Sequence, residues 1–312
     1  MSELSPPQRL LDCDGERGLA VDVELQARLG LLAQRLEAAG SVLVAFSGGA
    51  DSAFLLAAAV RALGVDHVVA ATAVSPSLPA AERAAAAAFA HGLGVRHETP
   101  RTAELARAGY AANAGDRCFS CKAELIDVLT PLAQSLGLAH TATGTNADDA
   151  GAGFRPGIRA AAERGALTPL LDAGLTKAQV RQASRDWGLA TWDKPAAACL
   201  SSRIAFGVGV TAVGLRRVEL AEVALRTALT EAGHEVRDLR VRDLGEGVAR
   251  VDVDADLVGV VAGHTAAVQG FQRIEIDPRG FRSGSMNELL PDPEHYRCAG
   301  LPGFSASRVR AR

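Results

Sequence analysis

Short apolar runs alternate along this chain with longer segments in which apolar positions recur at helical spacing. Leu25, Leu29, Leu32 and Leu36 return every three or four residues through Glu24–Ala39, and the pattern stops at Gly40. That predicts an amphipathic helix closed by a glycine. Ser41–Phe46 is shorter and apolar almost throughout, as expected of a strand buried on both faces. It runs into Ser47-Gly48-Gly49-Ala50-Asp51-Ser52, a glycine-rich turn that opens a second helix ending near Gly64. His67–Val74 and Val95–Glu98 predict strands, with an alanine-rich helix over Pro79–Gly92 between them. Cys121–Leu136 predicts a further helix and His140–Thr143 a strand that leads into Gly144–Asp149. Strands alternating with helices predict an α/β fold, a parallel sheet with helices on both faces. Ligands of such sheets bind beyond the carboxyl ends of the strands, where Ser47–Ser52 and Gly144–Asp149 both fall.

Further along, Thr176–Trp187 has helix character with Thr176 as its N-cap, and Gly188–Gly209 reads as an ordered linker or active-site loop. From Thr211 the pattern changes. A long helix to about Gly233, strands over Val236–Arg242 and Ala249–Val253, a helix over Leu257–Val268 and a strand over Arg273–Ile276 predict a smaller α+β domain. The expected division is a flexible segment over 1–20, a nucleotide-type domain over 21–205, and a second domain over 206–312 for substrate and subunit contacts.

With 48% hydrophobic and 22% charged residues in 312, there is ample material for a core. A formal charge of −3 and 4% aromatics argue against a broad nucleic-acid footprint. No apolar run is long enough to cross a bilayer, and the polar start Met1–Pro7 lacks a signal-peptide core, so a cytoplasmic protein is expected. The five cysteines, at 13, 118, 121, 199 and 298, are an odd number and do not suggest a disulfide framework.

The chemistry sits at a few places. Paired glycines let the backbone approach an anion, and the following helix aims its N–H groups and positive dipole end at the same point. Asp51 is a carboxylate beside that anion site, sensible if it holds a Mg²⁺ bridging phosphate oxygens. The Walker pattern is absent. Arg117-Cys118-Phe119-Ser120-Cys121-Lys122 carries a C-x-x-C that reads as a redox pair, half a zinc site, or ligands of an iron–sulfur cluster. With Cys199, three thiolates could hold a [4Fe–4S] cluster with one iron open; otherwise Cys118 and Cys121 are small residues at a helix start. Arg117, Lys122, Arg155, Lys177 and Arg203 would together suit a substrate with phosphate and carboxylate groups. Arg240 and Arg242 alternate along a strand and face one side, which is costly unless an anion or solvent meets them. Glu222 reads as an acid/base or a surface residue. Phe281–Asn287 reads only as a turn.

Taken together, Ser47–Ser52, Arg117–Lys122, Gly144–Asp149, Arg155-Pro156-Gly157, Leu175-Thr176-Lys177, Lys194–Arg203, Arg240–Arg242 and Phe281–Asn287 resemble the LarE family. These are PP-loop ATP-dependent sulfur transferases of nickel-pincer nucleotide cofactor biosynthesis. The resemblance covers about residue 40 to about 290. It implies that ATP adenylates a carboxylate of a pyridinium dicarboxylic acid mononucleotide, after which sulfur displaces AMP. Ser47, Gly48, Gly49, Asp51 and Ser52 would hold ATP and Mg²⁺, with Lys122, Asn146 and Lys177 beside them. Arg155, Arg203, Arg240 and Arg242 would hold the substrate, and Glu222 would match the acid/base position. The family's sacrificial cysteine falls one position before Cys199, where this chain has Ala198, so the resemblance is to the three-cysteine, [4Fe–4S] branch, with sacrificial Cys199 as the alternative. A small-molecule nucleotide substrate, a homo-oligomer and no membrane or nucleic-acid partner go with it. Other readings are a tRNA thiolase, an amidating PP-loop ligase, and a non-enzymatic adenine-nucleotide-binding module.

Overall fold

The computed structural model describes residues 13–151, 156–195 and 198–290. Arg155 and Cys298 lie outside the described residues. In chain order the elements are α1 (Cys13–Ala39), β1 (Val42–Ala45), α2 (Ala50–Leu63), β2 (Val68–Ala71), α3 (Ala80–Gly92), β3 (Arg96–Glu98), α4 (Ala108–Ala111), α5 (Arg117–Ser135), β4 (His140–Thr143), α6 (Ala147–Gly151), α7 (Pro156–Glu163), α8 (Pro169–Asp172) and α9 (Lys177–Asp186). There follow α10 (Ala212–Glu231), β5 (Leu239–Gly245), β6 (Val248–Val253), α11 (Val258–Val261) and β7 (Arg273–Ile276).

β1 is apolar on both sides because it is one of the two interior strands of a parallel sheet ordered β3-β2-β1-β4. Its Val42 pairs with Val68 on one side and His140 on the other. Alternate residues then point to opposite layers. Val42, Val44, Val68 and Ala70 face α1, α2, α8 and α9, with Leu25, Leu32, Leu36, Phe54, Leu56 and Val180 in that layer. Leu43, Ala45, Val69 and Ala71 face α5 through Leu129 and Ala133. The expected α/β architecture with helices on both faces is what the chain forms.

The smaller sheet is mixed, ordered β5-β6-β7, with β5 and β6 antiparallel and β6 and β7 parallel. Ala221, Leu225 and Leu229 of α10 pack on its Val241, Val251 and Val253. The two halves meet through Tyr110, Leu200, Ile204, Leu215 and Val218. An isolated parallel bridge from Ile204 to Asp243 and a 2.8 Å hydrogen bond from Ala80 N–H to Glu219 join them further.

Several boundaries differ from the sequence reading. The first helix starts at Cys13 rather than Glu24, and α5 starts at Arg117, so both cysteines of the C-x-x-C lie in its first turns. The strand expected over Val236–Arg242 begins at Leu239 and continues to Gly245, where Gly245, Glu246 and Gly247 all take positive φ to turn the hairpin. The helix expected over Leu257–Val268 is broken into short 3₁₀ and α turns, in keeping with its β-branched and glycine content (Val258, Gly259, Val260, Val261, Gly263).

Phe54 is fully buried, with its ring 4.8 Å from that of Trp187, and it ties α2 to α9. Phe54→Ala should destabilise the fold by about 3–5 kcal/mol. Urea denaturation should show the midpoint falling with its slope unchanged.

Candidate active site

The turn after β1 is built around its own serines. Gly48 has φ +75 and sits with Ala86 3.3 Å from where a Cβ would be, so only glycine suits it. The Ser52 hydroxyl donates to the Gly49 carbonyl at 3.1 Å and lies 3.1 Å from the Ser47 hydroxyl. Gly49 is the N-cap of α2, whose first N–H groups therefore open onto the turn. Lys194 closes the other side, donating to the Gly48 carbonyl at 2.9 Å and pairing with Glu82 at 2.7 Å. Gly144, at the end of β4, meets the start of α2 so closely that a Cβ there would lie 2.8 Å from the Ser52 nitrogen.

Asp51 points into this place. Its Oδ1 is buried and, among the described residues, has no hydrogen-bond partner, while Oδ2 lies 3.7 Å from the Lys177 ammonium. Burial raises its carboxyl above the usual aspartate range, and Lys177 opposes the rise. An orphaned buried carboxylate oxygen beside an anion-binding turn fits a cation ligand, and Mg²⁺ needs only one or two such ligands when phosphates supply the rest. Lys177 is the first residue of α9, fixed there by a Thr176–Gln179 capping box and by its N–H on Asp148 at 2.8 Å. Thr176 is the N-cap the sequence predicted. Asn146 is buried, its side chain capping Asp149 N–H at 3.1 Å and its Nδ2 left without a partner among the described residues.

A cavity of about 370 Å³ extends from this turn. Ser47, Gly49, Asp51, Ser52, Lys122 and Gly144 line one part of it, and Cys121 and Cys199 line another. The cysteines are thus brought to the glycine turn although far from it in sequence. Burial, then Cys199 and Glu104, push the Cys121 thiol up, and burial pulls the Lys122 ammonium down. Cys118, one helical turn before Cys121, is exposed and does not line the cavity. None of the three cysteines is in a disulfide, and among the described residues no three His, Cys, Asp or Glu side chains stand close enough to enclose a metal ion.

The segment from Ala198 to Arg203 forms a wall. Cys199 lines the first cavity, whereas Ala198 and Ser202 line a second, of about 130 Å³, with Arg117, Arg240 and Arg242. The wall is held by buried cations. Arg203 Nη1 donates to the Ala198 carbonyl at 2.6 Å and the Cys199 carbonyl at 3.1 Å, and Arg242 Nη1 to the Ser202 carbonyl at 3.0 Å. Arg117 reaches the Ser201 carbonyl at 2.7 Å. Asn113, in the left-handed region at φ 56, donates to the carbonyls of Ala205 and Val208. Glu222 pairs with Arg203 at 2.9 Å and accepts the Val241 N–H at 3.0 Å, so in this arrangement it orients Arg203 and anchors β5.

Arg240 and Arg242 share one face of β5, as their alternation predicted. Burial, then Arg203, depress the Arg240 guanidinium to about 10. Arg242 is paired at 2.9 Å with Asp252, which is fully buried. Phe281 lies over Arg240 at 5.2 Å, Ser285 reaches Asp252, and Ser283, Gly284 and Met286 line the second cavity. The Phe281–Asn287 turn, unexplained by sequence, is therefore part of the enclosure of the arginine cavity.

A parallel sheet thus brings a glycine turn and a helix N-terminus to a thiol-lined cavity, beside a second cavity rich in arginine, in an α/β protein. Comparison with known proteins narrows this. No protein-family model matches the chain. It is 39% identical over 274 residues to "Uncharacterized protein slr1717" of Synechocystis sp., covering 85% of this chain and 99% of that one. It is 31% identical over 255 residues to pyridinium-3,5-bisthiocarboxylic acid mononucleotide synthase of Lactiplantibacillus plantarum, covering 80% and 90%. A third relative, "Uncharacterized protein MJ0830" of Methanocaldococcus jannaschii, is 25% identical over 55% of this chain. The chain belongs to the LarE family, that of the pyridinium-3,5-bisthiocarboxylic acid mononucleotide synthase. Among the described residues no helix is long and apolar enough to cross a membrane.

Two outcomes are expected. Asp51 carries a raised folded pKa, so above that pKa its charge costs stability, and below the ordinary value of 3.8 the cost vanishes. Asp51→Asn should therefore raise the melting temperature of the protein at pH 7, with the gain fading towards pH 3.8 and below. Gly144→Ala should displace the Ser47–Ser52 turn and destabilise the fold by about 1–3 kcal/mol, read as a lowered urea midpoint.

Proposed function

We propose that this chain uses ATP to activate a carboxylate of a pyridinium dicarboxylic acid mononucleotide and then replaces a carboxylate oxygen with sulfur. Membership of the synthase family supports the sulfur-inserting class. The observation that carries the reading is the Ala198–Arg203 wall, with the anion turn and two thiols on one side and Arg240 and Arg242 on the other. A mononucleotide anchored by its phosphate on the arginines would present a carboxylate across that wall to the α-phosphate of ATP.

The carboxylate oxygen attacks the α-phosphorus, and pyrophosphate leaves. Gly48, Gly49 and the α2 N-terminus would face the phosphates, and Asp51 would hold the Mg²⁺ that offsets their charge. Lys122, Asn146 and Lys177 are the polar groups around that charge. The acyl-adenylate then takes a sulfur nucleophile at its carbonyl carbon, and AMP departs; a carboxylate alone would be a poor electrophile. Arg203, oriented by Glu222, borders the substrate side by holding the Ala198 and Cys199 carbonyls of the wall.

Cys118, Cys121 and Cys199 are chemically the donor set of a [4Fe–4S] cluster with one open iron, which when bound would supply sulfide. Holding it requires Cys118 to close upon the other two thiols. The second reading, Cys199 as a sacrificial donor, is favoured by its place in the cavity wall opposite the turn. The protein acts in the cytoplasm as a homo-oligomer, for which the exposed Val213, Leu220 and Val223 of α10 offer an apolar face.

Pyrophosphate exchange into ATP should depend on the pyridinium substrate, and its absence would overturn the reading. Arg240→Ala should raise the substrate Kd by about 10–100-fold, in line with removing a charge-assisted contact, with ATP affinity unchanged. After anaerobic purification, about four irons and four sulfides per chain, lost in Cys121→Ala, would support the cluster. Iron-free protein that loses sulfur mass at Cys199 after one turnover would establish the sacrificial route.

A further inference from the structure

The first cavity contains a carboxylate that neither phosphate binding nor sulfur transfer uses. Glu104 is 3% exposed and lies in the cavity wall with Ser75 and Ser77. Its Oε1 accepts from both serine hydroxyls, from Ser77 at 2.7 Å, and the two hydroxyl oxygens are 2.8 Å apart. Among the described residues nothing donates to Oε2, and that oxygen is not sealed from the cavity. The two serine hydroxyls point at Oε1 and at each other, so what this patch turns to the cavity is mainly a set of oxygen acceptors.

Such a patch has a definite complement. A phosphate or carboxylate would be repelled by it, because like charges in a partly desolvated site interact strongly. A ligand with two adjacent neutral donors would satisfy it. In a cavity that also holds an anion-binding turn, the group of that description is the vicinal diol of a ribose, one linkage away from the phosphates. A carboxylate reading a ribose hydroxyl is a recurrent solution in nucleotide sites of other folds.

We infer that Glu104, backed by Ser75 and Ser77, is a ribose-diol subsite that reads the 2′ and 3′ hydroxyls of ATP; the inference rests on the ATP-using reading above. The patch is placed by the chain's geometry, since the bridge from Val74 to Arg101 carries the ends of the second and third strands out over the cavity. Discrimination for ATP over its deoxy analogues follows.

The test is calorimetric titration of wild type, Glu104→Gln and Glu104→Ala with ATP, 2′-deoxy-ATP and 3′-deoxy-ATP, and with the pyridinium mononucleotide. Wild type should bind ATP at least about tenfold more tightly than one or both deoxy analogues, as for a hydrogen bond to a charged group. Glu104→Ala should bring ATP and that analogue within about twofold, with affinity for the analogue itself little changed. Glu104→Gln, which can still accept from Ser75 and Ser77, should fold like wild type and keep part of the preference. If the variants weaken the mononucleotide about tenfold and leave ATP unchanged, the diol read is that of the second nucleotide. A wild type that binds ATP and both deoxy analogues equally, with mononucleotide binding insensitive to Glu104, overturns this inference alone. A wild type that binds no ATP overturns the functional reading together with it.

Discussion

The Ala198–Arg203 segment belongs to no sheet and makes only a short 3₁₀ turn, so most of its carbonyls need partners from elsewhere. They find them in buried guanidinium groups: Arg203 from within, Arg117 from α5 and Arg242 from β5. Each is a fixed fork that binds carbonyls at defined angles, which a flexible ammonium would not do. The position of Cys199 and the separation of the two cavities follow from those few bonds. This constraint also redistributes roles. Arg117 looks in sequence like a substrate ligand, and the structure commits its Nη1 to Asn113 and the Ser201 carbonyl while its side chain borders the arginine cavity.

Buried charge is concentrated at both cavities. Asp51 is desolvated with one oxygen unpartnered, and Arg240 is buried close to Arg203 and Arg242. Neither arrangement is one that folding alone would favour, since burying charge disfavours the charged form. Both become favourable when a cation sits by Asp51 and an anion by the arginines. Perturbed buried charges of this kind cluster at functional sites.

Much of this was legible in the chain. The apolar run before Ser47 could only be an interior strand, and the positive φ of Gly48 is what a glycine at that point announces. Arg240 and Arg242 share a face because strand periodicity leaves no alternative. Less visible were features made by tertiary contact. Phe281–Asn287 carries no motif that says it will border an arginine cavity, and Asn113 is an unremarkable loop residue until its side chain gathers the carbonyls of Ala205 and Val208. Glu104 follows a strand of only three residues and reads as surface charge, because nothing local reveals that the chain will fold it over a cavity. Broken helicity after Leu257 was missed for the opposite reason: apolar periodicity persisted while β-branched residues and glycines removed the helix's stability.

The contact between Gly144 and the first turn of α2 has a thermodynamic consequence. With no room for even a methyl group between them, the end of one strand and the start of one helix move as a single body. The N–H groups that open onto the glycine turn are therefore already aligned before any ligand arrives, and little protein entropy remains to be lost there on binding. The ordering cost of association falls on the ligand's own rotors and on the side chains around it, Lys177 and Lys194 foremost, and not on the backbone that forms the cradle.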